Sequence, residues 1–122
     1  MAEVAERAAT DLGRRGETLA CEYLERQGLV VLSRNWTCRE GELDIVATDG
    51  AVLVVCEVKS RAGTTCGSPL EAVTPDKLHR IRKVTQRWLQ KHRVGWVQIR
   101  YDAIAVVWPP DGEVRLHHVK GL

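Results

Sequence analysis

Apolar residues change their spacing along this chain, and each change marks an element. Ala20, Tyr23 and Leu24 recur at helical intervals, and Gly28 supplies a stop after Arg26. That pattern predicts a first helix from about Ala5 or Asp11 to Arg26. Gly13 and Gly16 weaken its early part, and residues 1–10 are expected to be loosely ordered. Leu29 to Leu32 is a short apolar run that reads as a strand, whereas Ser33 to Gly41 is polar and reads as irregular chain. Leu43 to Ala47 and Val52 to Val58 are rich in β-branched residues and flank Thr48-Asp49-Gly50-Ala51. Asp-Gly between two such runs predicts a hairpin with a two-residue turn. A glycine-containing loop is expected over Arg61 to Pro69.

Thr74-Pro75-Asp76 combines an N-cap residue, a proline at the first helical position and an acidic first turn. The helix it opens carries Leu78, Ile81, Thr85, Trp88 and Leu89 on one stripe. Val97 to Val107 alternates as a strand, Pro109-Pro110-Asp111-Gly112 turns the chain, and Val114 to Val119 reads as a last strand. The order is helix, three strands, helix, two strands, which predicts an α/β domain with helices covering a mixed sheet. The length, 122 residues, suits a single domain over 1–122 that buries a core without staples.

Hairpin parity distributes the charges unevenly. With Asp49-Gly50 at the centre of the turn, Thr48 faces Ala51, Asp44 faces Val55 and Glu42 faces Glu57. One face then holds Leu43, Ile45, Ala47, Val52, Val54, Cys56 and Val58, all apolar. The other holds Val46, Leu53 and Val55 near the turn, then Glu42, Asp44, Glu57 and Lys59 at the open ends. Carboxylates crowded among core strands repel one another and lose solvation. A hard divalent cation relieves both problems, and Mg²⁺ keeps waters and accepts substrate phosphate in its shell. Lys59 on the same face is placed to orient a water or to stabilise charge on a phosphoryl group. By charge alone the same residues also read as a cross-strand ion-pair patch facing solvent.

Composition narrows the setting. The chain is 44% apolar and 28% charged, ordinary for a globular protein, and its formal charge of +2 is uninformative. The distribution of charge says more. Lys77, Arg80, Arg82, Lys83, Arg87, Lys91, Arg93 and Arg100 occur before the next acidic residue, Asp102. A helix face so one-signed suits phosphate contact, although a solvated face is the ordinary use of helix charge. Arg34, Trp36 and Arg39 precede the hairpin. Trp36 suits either stacking on a base or capping the core. Asp102 is expected to pair with Arg100 or another base and takes no metal role, and the adjacent His117 and His118 read as strand-edge residues facing opposite ways. Cys21, Cys38, Cys56 and Cys66 lack zinc spacing, no apolar run reaches membrane-spanning length, and the N-terminus lacks an apolar signal core. A reduced, cytoplasmic protein with no membrane partner and no organic cofactor is expected.

Asp44, a hairpin's length of chain, then Glu57-Val58-Lys59 resembles the signature of the PD-(D/E)XK nuclease superfamily. The longer strings GETLACEYLERQGLVVLSRNW, REGELDIVATDG, LVVCEVKSR, GSPLEAVTPDKLHRIR and RYDAIAV, in that order, resemble the YraN-type family of small bacterial proteins. That family is similar in fold to archaeal Holliday-junction resolvases, and the resemblance spans roughly Gly13 to Val107. It implies a restriction-endonuclease-like α-β-β-β-α-β core and a metal-dependent DNA endonuclease, with branched DNA as an analogy for the substrate. It implies Asp44, Glu57 and the Val58 backbone carbonyl as ligands of Mg²⁺ or Mn²⁺, with Glu17 from the first helix beside them and Lys59 as the catalytic lysine. Lys77 falls where related nucleases carry a supporting lysine or glutamine, although its spacing from Ile81, Val84 and Trp88 also suits a side chain snorkelling at the helix edge. DNA is the implied partner, contacted by Lys77, Arg80, Lys83 and Arg87 with Arg34, Arg39 and Trp36. Resolving a junction would need a homodimer. Leu43 stands where the signature has proline, and Cys66 stands where an aromatic residue is expected before Gly67. The alternatives are a non-catalytic nucleic-acid-binding adaptor that keeps the fold, and a scaffold with no nucleic-acid partner.

Overall fold

The computed structural model describes residues 2–63, 73–110 and 112–122, with side chains from residue 11 onward. Two helices and five strands follow in the expected order: α1 (Ala2–Arg26), β1 (Val30–Cys38), β2 (Gly41–Thr48), β3 (Val52–Ala62), α2 (Pro75–Lys91), β4 (Gln98–Trp108) and β5 (Arg115–Lys120). The strands form one mixed sheet in the order β1-β2-β3-β4-β5. β3 and β4 are parallel and every other pair is antiparallel. A parallel pair needs a crossover, and α2 lies within it. The expected α-β-β-β-α-β core is therefore present, with β5 added at the edge.

Period-two alternation divides the sheet's side chains between two cores. On one side Ile45, Ala47, Cys56, Ile104 and Val106 pack with Ala20, Cys21 and Leu24 of α1. On the other side Val46, Leu53 and Val55 pack with Ile81, Val84, Trp88 and Leu89 of α2. Each of those large α2 side chains contributes roughly 1.5–3 kcal/mol through burial. Thr74 caps α2 as expected, its side chain accepting from the Lys77 N–H at 3.2 Å. Leu78, expected on the buried stripe, is only half-buried, and Val84 takes the place in the core. α1 approaches β3 closely at Gly16, where a Cβ would overlap the Ser60 hydroxyl. The glycine that weakens the helix locally thus lets α1 lie against the sheet one residue before Glu17.

Besides Leu78, and a first helix that begins at Ala2 rather than at Ala5 or Asp11, four further expectations change. Residues 33–38 are not irregular: β1 runs on to Cys38, paired with β2 across a register shift between Val31 and Ser33. Nor is the β2–β3 turn two residues long. Thr48 pairs with Leu53 rather than Ala51, and Val46 pairs with Val55. The Asp49 carboxylate accepts from the Ala51 and Val52 amides, each at 2.8 Å, and the Thr48 hydroxyl accepts from Gly50 N–H and donates to Val52 O. These local bonds hold two further residues in the turn, with Gly50 at a φ of +101°. A slip of two residues keeps side-chain parity, so the acidic face survives. The third change concerns Leu43, expected beside Ile45 but packed instead with Trp36 in the α2-side core. Arg34 pairs with Ile45 and Trp36 with Leu43, while Asn35 between them takes a φ of +49°. The step through this left-handed residue turns the following pair to the opposite layer. Lastly, the loop expected over Arg61 to Pro69 starts later, because Arg61 and Ala62 extend β3; Cys66, Gly67 and the rest of 64–72, like Asp111, lie outside the described residues.

Candidate functional site

The β2–β3 ladder ends at Ile45↔Cys56. One step beyond, the register sets Asp44 across from Glu57. There the Asp44 carboxylate takes the place of a backbone carbonyl: the Val58 N–H donates to its Oδ2 at 2.8 Å. The strands part at this point, and a cleft of about 670 Å³ opens between β2, β3, α1 and α2. Glu17, Arg39, Glu42, Asp44, Glu57, Val58, Lys59, Lys77 and Arg80 line it. Hairpin parity foresaw Glu42, Asp44, Glu57 and Lys59 together. The longer turn sharpens that placement, since Asp44 rather than Glu42 lies opposite Glu57.

The two central carboxyls are electrostatically frustrated. Glu57 is only 8% exposed, and its Oε2 is buried with no hydrogen-bond partner among the described residues. Burial, then the nearby charge of Asp44, pushes its pKa from 4.5 to about 8. Burial also raises Asp44, to about 6, with Glu17 and Glu42 adding to the effect against the Val58 amide. Lys77 reaches in from the first turn of α2, its Nζ 3.8 Å from Glu57 Oε1. That distance is an ion pair without a close hydrogen bond, and it leaves Oε2 unserved. Lys59 is exposed and makes no ion pair among the described residues. Glu17 is half-buried and accepts from Asn35 Nδ2 at 2.7 Å.

A divalent cation fits this donor set in part. An orphaned buried oxygen on Glu57 and a second carboxylate across from it are oxygen donors of the kind Mg²⁺ and Mn²⁺ take. Among the described residues no group of three His, Cys, Asp or Glu side chains is assembled to hold a metal. Two carboxylates would therefore be completed by a backbone carbonyl, water and phosphate, which is the common habit of Mg²⁺.

The remaining basic and aromatic candidates divide. Arg39, Arg80 and Lys83 are exposed, and the first two line the cleft. Arg34 donates to Thr18 Oγ1 at 3.0 Å. Arg87 is engaged by Glu40 at 3.0 Å, an acidic counterpart supplied from β2's approach and not from the helix itself. Trp36 is half-buried against the α2-side core, with His92 tilted 6.2 Å from it, so it caps the core.

Asp102 is fully buried and does pair with Arg100, which donates to both its oxygens at 2.9 Å. His118 Nε2 lies 2.8 Å from Oδ2, and the Gly121 N–H donates to Oδ1. Burial is the strongest single influence and pulls its pKa upward. The bonds together outweigh it, and Asp102 stays below the ordinary carboxylate range. His118 is thus no simple edge residue: its side chain is 7% exposed and its Nδ1 meets the Tyr23 hydroxyl at 2.9 Å. The spacing of Tyr23, Asp102 and His118 in sequence carries no signal for this, since β4–β5 pairing and the packing of α1 on the sheet assemble them.

Fold and cleft together define a class: a three-layer α/β domain whose central hairpin opens onto a pair of facing carboxylates beneath a basic helix. A family model described as "Uncharacterised protein family UPF0102" matches residues 16–106, a span that contains Glu17, Asp44, Glu57, Lys59 and Lys77. The chain belongs to this family. It is 49% identical to a UPF0102 protein of Frankia alni over 97% of this chain and 98% of that one. A Streptomyces coelicolor member is 48% identical over 91% of this chain and 87% of its own. Among solved structures, the chain is similar to Archaeoglobus fulgidus Hjc, a Holliday junction resolvase from an archaeal hyperthermophile. The two share 19% identity with a TM-score of 0.47, covering 85% of this chain and 70% of that one. Among the described residues no helix is long and apolar enough to cross a membrane.

Proposed function

We propose that this protein is a metal-dependent endonuclease that hydrolyses phosphodiester bonds in DNA. The observation that carries the reading is Glu57: a buried carboxyl with an oxygen unpartnered among the described residues, facing Asp44 in a cleft of mixed charge beside the basic helix α2. A structural ion-pair patch would satisfy its carboxylates, whereas Lys77 reaches only one oxygen of Glu57, at 3.8 Å, and leaves the other without a partner among the described residues. Asp44, Glu57 and the Val58 carbonyl hold the metal in this reading, with Glu17 at the rim. Bound there, Mg²⁺ or Mn²⁺ supplies Lewis-acid polarisation of the phosphate and lowers the pKa of water. Lys59, which makes no ion pair among the described residues, orients the attacking water and stabilises charge on the phosphoryl oxygens. Lys77, 3.8 Å from Glu57 Oε1, would be free to contact the phosphate if a cation neutralised Glu57 in its place. Arg39, Arg80 and Lys83 bind the flanking backbone, with Arg34 and Arg87 at the margins. The setting is cytoplasmic, with cysteines such as the buried Cys21 and Cys56 kept as thiols. Paired cuts across a branched substrate would require a homodimer.

One observation favours a second reading, a DNA-binding adaptor without chemistry: Lys77 already supplies a positive charge beside Glu57. Two measurements separate them. Calorimetric titration with Mn²⁺ should give heat in the wild type and none in Asp44→Ala; absence of heat with and without DNA refutes the metal site. On linear, flapped and four-way DNA, cleavage should vanish in Lys59→Ala while binding survives. Binding without cleavage of any substrate would establish the adaptor.

A further inference from the structure

Trp96 lies on the segment between α2 and β4 and is 95% exposed, whereas Trp88 is 3% exposed and Trp36 and Trp108 are half-buried. A fully exposed tryptophan leaves a large apolar ring in water. It stands at the rim of a groove of about 370 Å³ lined by Gln86, Leu89, Gln90, Val94, Val97 and Ile99. The groove floor is apolar and two side-chain amides edge it. The chain that builds it is one-signed, with no Asp or Glu between Asp76 and Asp102, although Glu40 from the turn before β2 pairs with Arg87 beside it.

Groove and carboxylate cleft share α2. Arg80 lines the cleft, Gln86 and Gln90 line the groove, and the exposed Lys83 stands between. At 100° per residue, Arg80, Lys83 and Gln86 form one ridge that climbs across the exposed face of the helix from one site to the other. Arg80 and Gln90 are separated by about 15 Å of helix rise, a distance a few nucleotides of an unpaired strand can span.

We propose that this groove is a base-stacking subsite. Trp96 is the platform, and the occupant is an unpaired nucleobase of a DNA strand whose backbone crosses α2 over Lys83 and Arg80 to the cleft. Charge selects a polyanion over an apolar peptide or a second, equally basic copy of this face. The isolated ring and the amide-edged groove select a base, since bases offer a π-face and polar edges together. Bases inside a duplex are already stacked, so the site takes only an unpaired one. The inference rests on the nuclease reading of the cleft and narrows its substrate to DNA carrying unpaired nucleotides within a few positions of the cut: flaps, gaps and junctions.

The test uses the full chain in chelator and fluorescence anisotropy with single-stranded, overhang-bearing and blunt duplex DNA. Trp96→Ala should weaken single-strand and overhang binding about tenfold or more and leave blunt-duplex affinity unchanged, with Trp96→Tyr restoring most of the loss. Intrinsic fluorescence quenched by single-stranded DNA in the wild type should be absent in Trp96→Tyr. Unchanged affinity in Trp96→Ala overturns the proposal, as does an equal loss on blunt duplex or a wild type that binds no DNA. A dimer that becomes monomeric in Trp96→Ala with DNA affinity intact would assign the patch to self-association and also overturn it. The two readings fail separately. Cleavage that needs Asp44 but ignores Trp96 sinks the subsite alone, whereas Trp96-dependent binding without any cleavage sinks the nuclease alone.

Discussion

Glu57→Gln removes the ionisable proton from the most frustrated group in the cleft while keeping its shape. Each tenfold change in proton affinity is worth about 1.4 kcal/mol. Forcing a carboxyl raised from 4.5 to about 8 to ionise inside the fold therefore costs roughly 5 kcal/mol. The direction follows from proton counting. Between about pH 4.5 and 8 the unfolded chain has released this proton and the folded chain still holds it. Rising pH then favours the unfolded chain, so metal-free stability falls across that window and levels above it. Asp44, raised to about 6, adds to the same limb at its acidic end. Urea unfolding at a series of pH values in chelator should show wild-type stability falling by several kcal/mol from pH 5 to pH 9. Glu57→Gln should lose most of that slope and be the more stable protein at pH 8. Millimolar Mn²⁺ should restore the wild type at pH 8 by supplying the missing charge and should do little for the variant. Parallel stability curves for the two proteins would refute the claim that Glu57 is desolvated and incompletely neutralised by Lys77.

Two further perturbations test the scaffold that places the cleft. Gly16→Ala gains about 1 kcal/mol of helix propensity but meets Ser60 directly; overpacking of this kind costs about 1–3 kcal/mol. Net destabilisation is expected in denaturant, with recovery in the Gly16→Ala/Ser60→Ala double variant, and simple additivity would argue against the contact. Asp102→Ala strands Arg100 and His118 and should cost about 3–5 kcal/mol, the range for breaking a buried pair. Because the Asp102 pKa is depressed, its contribution is full above the ordinary carboxylate range and fades as pH falls through it. The gap between wild type and Asp102→Ala in thermal melts should therefore narrow toward acid, and a gap independent of pH would contradict the bonded network.

Much of the fold was legible because its signals are local. The α2 cap at Thr74 and the β-branched runs of β2 and β3 depend on neighbours a few residues apart, and both appear where expected. The strand character of residues 33–38 was hidden, because β1 is a half-exposed edge strand held by pairing to β2 and not by its own apolar pattern. The turn length was misjudged for a related reason: Asp49 and Thr48 use their side chains to hold the loop, and an Asp-Gly pair does not reveal how many amides they will capture.

The candidate site divides along the same line. Period-two parity was enough to put Asp44, Glu57 and Lys59 on one face, because a register slip of two leaves parity untouched. Residues brought together by long-range packing had no such signal. That Lys77 meets Glu57, that Asn35 holds Glu17, and that Glu40 occupies Arg87 follow from where α1 and α2 land on the sheet. Side-chain alternation is written into each strand, and so the chain dictates which groups share a face. Distance, burial and the loss of solvent arise only when separate elements close over that face, and those are what turn two carboxylates into a frustrated pair.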